Sequence, residues 1–180
     1  MMVDNTQYSG GNVKNIVLIG MPASGKSTIG VLLAKTLGMD FVDTDLLIQR
    51  SEGALLQDII TKKGIDEFIQ IEQDIITKLD CAKCVIATGG SAVYGEKAME
   101  HLKLNGIVVY LEASYEEVKR RLTNIKSRGI VFGKGQDLYS LYNERIPLYK
   151  KYADITIECD GKSIEDLVCL IRDEVKSQIK

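Results

Sequence analysis

Residues Gly20-Met21-Pro22-Ala23-Ser24-Gly25-Lys26-Ser27 fit the pattern G-x-x-x-x-G-K-S/T in full, and Thr28 follows. The flanks fit as well. Lys14-Asn15-Ile16-Val17-Leu18-Ile19 is a short β-branched run that reads as a buried strand. Beyond the motif, Ile29, Leu32, Leu33 and Leu37 fall at helical spacing, and Gly38 stops the helix. A strand that feeds a glycine loop and then a helix is what a phosphate cradle requires, because the loop turns its backbone N–H groups and the helix N-terminus toward one anion. Lys26 adds a cation for the outer phosphates and Ser27 a hydroxyl for Mg²⁺. The motif names a ligand and leaves the reaction open.

The remaining chain repeats the alternation. Strands are predicted at Met39–Asp43, Cys84–Thr88, Ile107–Leu111 and Ile155–Glu158, with helices near 46–50, 54–63, 65–79, 95–104 and 138–149, one capped by Ser114 and one after Ser163. Such alternation predicts an α/β fold with a five-stranded parallel sheet and right-handed crossovers. Ligands of such sheets sit beyond the carboxyl ends of the strands. The phosphate loop, Asp43-Thr44-Asp45 and Gly89-Gly90 each follow a strand directly, so they are expected on one rim. Asp43 continues its strand and can face the metal held by Ser27. Asp45, just past it, can orient or deprotonate a hydroxyl, or serve as a plain helix cap.

Composition excludes several alternatives. The net charge is −2 with no basic block, which argues against nucleic acid and anionic membrane as partners. With 45% hydrophobic residues and no apolar run of spanning length, the chain reads as one cytoplasmic globular domain, 14–180, expected to be monomeric. Residues 1–13 read as a floppy tail. Cys81-Ala82-Lys83-Cys84 is a lone C-x-x-C; a structural zinc needs about four ligands, so reduced thiols are expected.

The ordered set Gly20–Thr28, Asp43-Thr44-Asp45, Phe68-x-x-x-Glu72, Thr88-Gly89-Gly90, Arg128 and Arg145-x-Pro147-Leu148-Tyr149 with Ala153-Asp154 resembles the shikimate kinase family across roughly 14–175. The resemblance implies a P-loop NTPase-type three-layer core, an acceptor-binding helical segment near 45–80 and a lid near 125–137. It implies ATP, Mg²⁺ and transfer of the γ-phosphoryl group to the 3-hydroxyl of shikimate. Residue by residue, Ala23, Ser24, Gly25, Lys26, Ser27 and Thr28 would hold the ATP phosphates, with Mg²⁺ on Ser27 and Asp43. Asp45 would be the base, and Gly89 and Gly90 would offer backbone donors to the acceptor. Arg128 would reach the nucleotide phosphates from the lid, Arg121 would stack on adenine, and Arg145 would clamp the acceptor carboxylate; Arg145 could instead be a surface arginine on its helix.

Three positions depart from the family pattern. Ile69 stands where the family has a second carboxylate-binding arginine. A charge-assisted hydrogen bond is worth roughly 1.5–3 kcal/mol, so its loss weakens the hold on an anion. Ile65, Phe68, Ile69, Glu72, Ile76 and Leu79 share one helical face, and Glu72 is the charge in that apolar stripe. Glu72 therefore reads either as an acidic wall of the acceptor pocket or as a side chain leaning to solvent. Ser91 replaces the third glycine of a triplet and would place a hydroxyl near the acceptor; Gly129 replaces a lid proline. These departures keep two rivals open: a related kinase for another polyol or hydroxy acid, selected by Ile69, Glu72 and Ser91, and a nucleotide-binding regulatory module without turnover.

Overall fold

The computed structural model describes residues 14–123 and 136–178. The expected tail, and the expected lid up to residue 135 with Arg128 and Gly129, lie outside the described residues. Five strands form one all-parallel sheet: β1 (Asn15–Ile19), β2 (Asp40–Asp43), β3 (Cys84–Ala87), β4 (Gly106–Glu112) and β5 (Ile155–Glu158), in the order β2-β3-β1-β4-β5. The three central strands are buried along almost their whole length, as expected when helices cover both faces. The edge strand β5 instead alternates, with Ile155 and Ile157 buried and Thr156 and Glu158 exposed.

Around the sheet lie α1 (Lys26–Leu37), α5 (Glu96–Leu104), α6 (Tyr115–Thr123), α7 (Leu138–Tyr152) and α8 (Ile164–Gln178). Helix starts follow the capping chemistry in the sequence. The Ser114 hydroxyl accepts from the Glu117 N–H, and the Ser163 hydroxyl from the Asp166 N–H. Helix α7 runs through Pro147 to Tyr152, three residues beyond the expected end.

Three helices, α2 (Thr44–Glu52), α3 (Leu56–Lys63) and α4 (Ile65–Thr77), share a small core built on Ile48, Ile59 and Phe68, and α4 also sends Ile76 into the main core. Helix α2 begins at Thr44, two residues earlier than expected, because the Asp43 carboxylate accepts the Asp45 N–H at 3.0 Å and caps it. Strands β1 and β3 are tied at their carboxyl ends, where Thr88 donates its hydroxyl to the Leu18 carbonyl at 3.0 Å. The described cysteines are free thiols, and no cluster of three or more histidine, cysteine or acidic side chains suited to a metal occurs among the described residues.

Candidate active site

The carboxyl ends of β1, β2 and β3 open into a cavity of about 390 Å³. The loop after β1 forms one wall with Pro22, Ala23, Gly25, Lys26 and Ser27. The tip of β2 adds Asp43 and Asp45, the turn after β3 adds Thr88, Gly89, Gly90 and Ser91, and α7 adds Arg145. Leu46, Gln49, Leu55, Leu56, Gln57 and Phe68 complete it from the small helical segment. The expected convergence on one rim is therefore present.

At the loop, Ala23 (φ 64) and Gly25 (φ 100) adopt left-handed conformations that turn the backbone inward. Gly25 is the N-cap of α1, no side chain caps that helix, and its first turn holds no acid. An uncapped helix start with a neighbouring nest of N–H groups suits an anion. The Lys26 ammonium is buried and donates to the carbonyls of Gly20 and Met21, both at 2.8 Å, and more distantly to Ser24 Oγ at 3.4 Å. Thr28 is exposed and lies off the cavity lining. Arg121 is anchored by Glu117 at 2.6 Å and donates Nη1 to the carbonyls of Ala23 and Ser24 at 3.2 and 3.3 Å, so its guanidinium rests against the phosphate loop.

The donors present fit a nucleotide-bound Mg²⁺. Ser27 and Asp43 line the same cavity, and the described residues offer no all-protein cage. Mg²⁺ prefers that arrangement, keeping water and phosphate oxygens among its six ligands.

Arg145 is 1% exposed, so it is not a surface arginine. Its guanidinium lies over the Tyr94 ring, 5.2 Å from the centroid, and Nε donates to the Tyr94 hydroxyl at 3.2 Å. The turn after β3 is pinned twice: the Gly89 N–H donates to the Thr44 hydroxyl at 3.1 Å, and the Tyr149 hydroxyl donates to the Gly90 carbonyl at 2.7 Å. Gly89 has no room for a side chain, since a Cβ there would collide with Glu72 Oε1 and stand 2.8 Å from Asp45 Oδ1.

Glu72 fits neither expected reading. It is 1% exposed, so it does not lean to solvent, and it lies behind the lining rather than on it. Its Oε2 accepts the Ser91 hydroxyl at 2.5 Å, which commits that hydroxyl to Glu72 instead of to an acceptor. Burial pushes the Glu72 carboxyl up to about 7; the Ser91 hydrogen bond pulls it back, Asp45 raises it, and Arg145 and Lys26 lower it. Ile69 is half-buried and not part of the lining.

Thr44, Tyr94 and Tyr149 were not singled out by the sequence as site residues. Tyr94 sits on a single 3-10 turn, Ala92–Tyr94, that carries no periodicity of its own. Tyr149 reads as helix core, and only its contact with Gly90 reveals the second task.

The shikimate kinase family model matches residues 22–176. The chain is 40% identical over 164 residues to shikimate kinase of Pasteurella multocida (strain Pm70), covering 89% of this chain and 94% of that one. It is 37% identical over 158 residues to shikimate kinase of Thermodesulfovibrio yellowstonii, covering 86% and 91%. Among solved structures, shikimate kinase from Acinetobacter baumannii in complex with shikimate superposes with a TM-score of 0.85 at 35% identity, covering 92% and 94%.

Proposed function

The chain belongs to the shikimate kinase family, and on that premise we propose that it moves the γ-phosphoryl group of ATP to the 3-hydroxyl of shikimate, releasing ADP and shikimate 3-phosphate. One observation carries the acceptor assignment. A fully buried arginine, Arg145, lines the same cavity as the phosphate loop and Asp45. A guanidinium, a carboxylate to act as base and a phosphate cradle around one cavity suit a molecule with a carboxylate and hydroxyls held beside a nucleotide.

Phosphoryl transfer needs alignment and charge neutralisation more than covalent help. The backbone N–H groups at Ala23–Thr28 hold the phosphates, and Lys26 leaves the loop carbonyls to meet their charge. Arg128, outside the described residues, adds a second cation, and Arg121 offers its guanidinium plane to adenine. Mg²⁺ bound with the nucleotide neutralises phosphate charge, and Ser27 and Asp43 would hold it, Asp43 through water. Asp45 takes the proton of the attacking hydroxyl. Gly89 and Gly90 steady the acceptor, and Arg145 grips its carboxylate. Ile69 supplies no charge, so the anion is held more loosely than by two arginines.

An ADP-release assay with shikimate against sugars, sugar acids and other hydroxy acids tests the proposal. Saturable turnover on shikimate supports it. Turnover confined to an uncharged acceptor overturns it.

A further inference from the structure

Glu72 is carried into the protein by the apolar stripe of α4, and its two oxygens have different surroundings. Oε2 takes the Ser91 hydroxyl. Oε1 is just as buried and has no hydrogen-bond partner. It points at the position a Cβ of Gly89 would take, as does Asp45 Oδ1; a side chain at 89 would strike the first and crowd the second. The negative charge of Asp45 on the same side of the turn disfavours ionised Glu72. A protonated Glu72 adds no charge there, whereas an ionised one places a second negative charge behind the acceptor site.

The charges facing Glu72 come from four directions: Asp45 on α2, Lys26 on α1, Arg145 on α7 and the Ser91 dipole after β3. Tyr149 of α7 faces it as well. The other helices against α4 turn apolar residues inward, Ile59 from α3 and Ala98, Met99 and Leu102 from α5. The balance leaves the carboxyl titrating at about 7, so either form is within reach of ordinary solution conditions.

Resting on the reading that the acceptor is an anionic hydroxy acid held between Asp45 and Arg145, we propose that Glu72 is a specificity-determining positioning residue: the anion binds the site in which Glu72 is protonated, and ionised Glu72 turns it away. The acceptor then takes up a proton from solvent as it binds, and that proton rests on Glu72. Ser91 sets the threshold, because its donated hydrogen bond favours the charged form. The pair thereby rewards acidic conditions with tighter acceptor binding and gives uncharged acceptors no such dependence.

The test is calorimetry of shikimate binding to the full chain with Mg·ADP, at one pH above neutrality, in buffers of different ionisation enthalpy. It is paired with the shikimate KM from pH 6.5 to 8.5, for wild type, Glu72→Gln and Ser91→Ala. Wild type should take up a large fraction of one proton per shikimate, and its KM should rise about tenfold or more across the range. Glu72→Gln should show no such uptake and a flat KM. Ser91→Ala should move the rise to higher pH, which also decides the matter should Glu72→Gln not fold. Wild-type binding without proton uptake, or an unshifted rise in Ser91→Ala, overturns the inference alone. No heat and no turnover with shikimate at any pH overturns the acceptor assignment, and this inference falls with it.

Discussion

Lys26 Nζ donates to the carbonyl oxygen of Gly20 at 2.8 Å, so the loop's cation is folded onto the loop's own backbone. The same ammonium reaches the Met21 carbonyl at 2.8 Å, and the side chain is buried. These bonds solvate a buried charge and tie the ammonium to the loop. Phosphate oxygens arriving at the loop compete for the same hydrogens. Replacing Lys26 with Met should therefore lower kcat by about a hundredfold or more and weaken Mg·ATP. Steady-state kinetics and calorimetry check this; a kcat within a few-fold of wild type would remove Lys26 from the chemistry.

Asp45 lines the cavity together with the loop and Arg145, and its own N–H donates to the Asp43 carboxylate. The helix cap and the proposed base are thus separate carboxylates. Asp45→Asn should reduce kcat by about 10²–10⁴-fold, the usual share of a general base, while Mg·ATP binding survives. Asp43→Asn should act differently, since an amide oxygen still caps α2 but no longer carries the charge proposed to support Mg²⁺. Retained nucleotide affinity with lost turnover in Asp45→Asn is the pattern to look for.

The sheet and the phosphate loop were legible because local patterns encode them. Val17, Leu18 and Ile19 are buried as a continuous apolar run predicts, and Gly25 occupies a left-handed turn that a glycine signals. The acceptor end was less legible. The stripe on α4 placed Glu72 among apolar side chains, but its partner Ser91 is nineteen residues away and no spacing rule joins them. For Arg145 the resemblance implies a carboxylate clamp, but the residues alone leave a surface arginine open, because its contact with Tyr94, from a turn with no periodicity, is not written in its own helix. Long-range pairs decide such positions, and a single sequence states only their two ends.

Arg145 combines a cation–π contact over Tyr94 with an Nε hydrogen bond to the same ring's hydroxyl, and it lines the cavity. A lysine cannot reproduce the fork or the stack. Arg145→Lys should raise the shikimate KM by about ten- to a hundredfold and leave the ATP KM nearly unchanged. A parallel rise in both would mean the residue supports the cavity as a whole instead of one substrate.

Tyr149 stacks on Tyr110 at 5.2 Å and reaches the Gly90 carbonyl with its hydroxyl. Phenylalanine keeps the stack and deletes the donor. Tyr149→Phe should cost about 1 kcal/mol of stability, from a carbonyl left without its partner. It should also raise the acceptor KM more than the nucleotide KM, because the freed turn carries Gly89 and Gly90. Urea unfolding together with the two KM values separates these effects.

Glu72 predicts a stability profile of unusual sign. Its carboxyl titrates near 7 when folded, against an ordinary value of 4.5, so the folded protein holds this proton more tightly than the unfolded chain. Its contribution is most favourable below the ordinary carboxylate range and is lost as pH rises toward the folded value. Above that, the buried charge costs at most about 3 kcal/mol. A glutamine at 72 keeps the shape and the Ser91 contact but never ionises. Between pH 5 and pH 8 the stability difference should therefore move by about 2–3 kcal/mol in favour of Glu72→Gln. Urea midpoints across that range measure it. A constant difference would place the Glu72 proton elsewhere and show that the carboxylate is already charged in the folded protein.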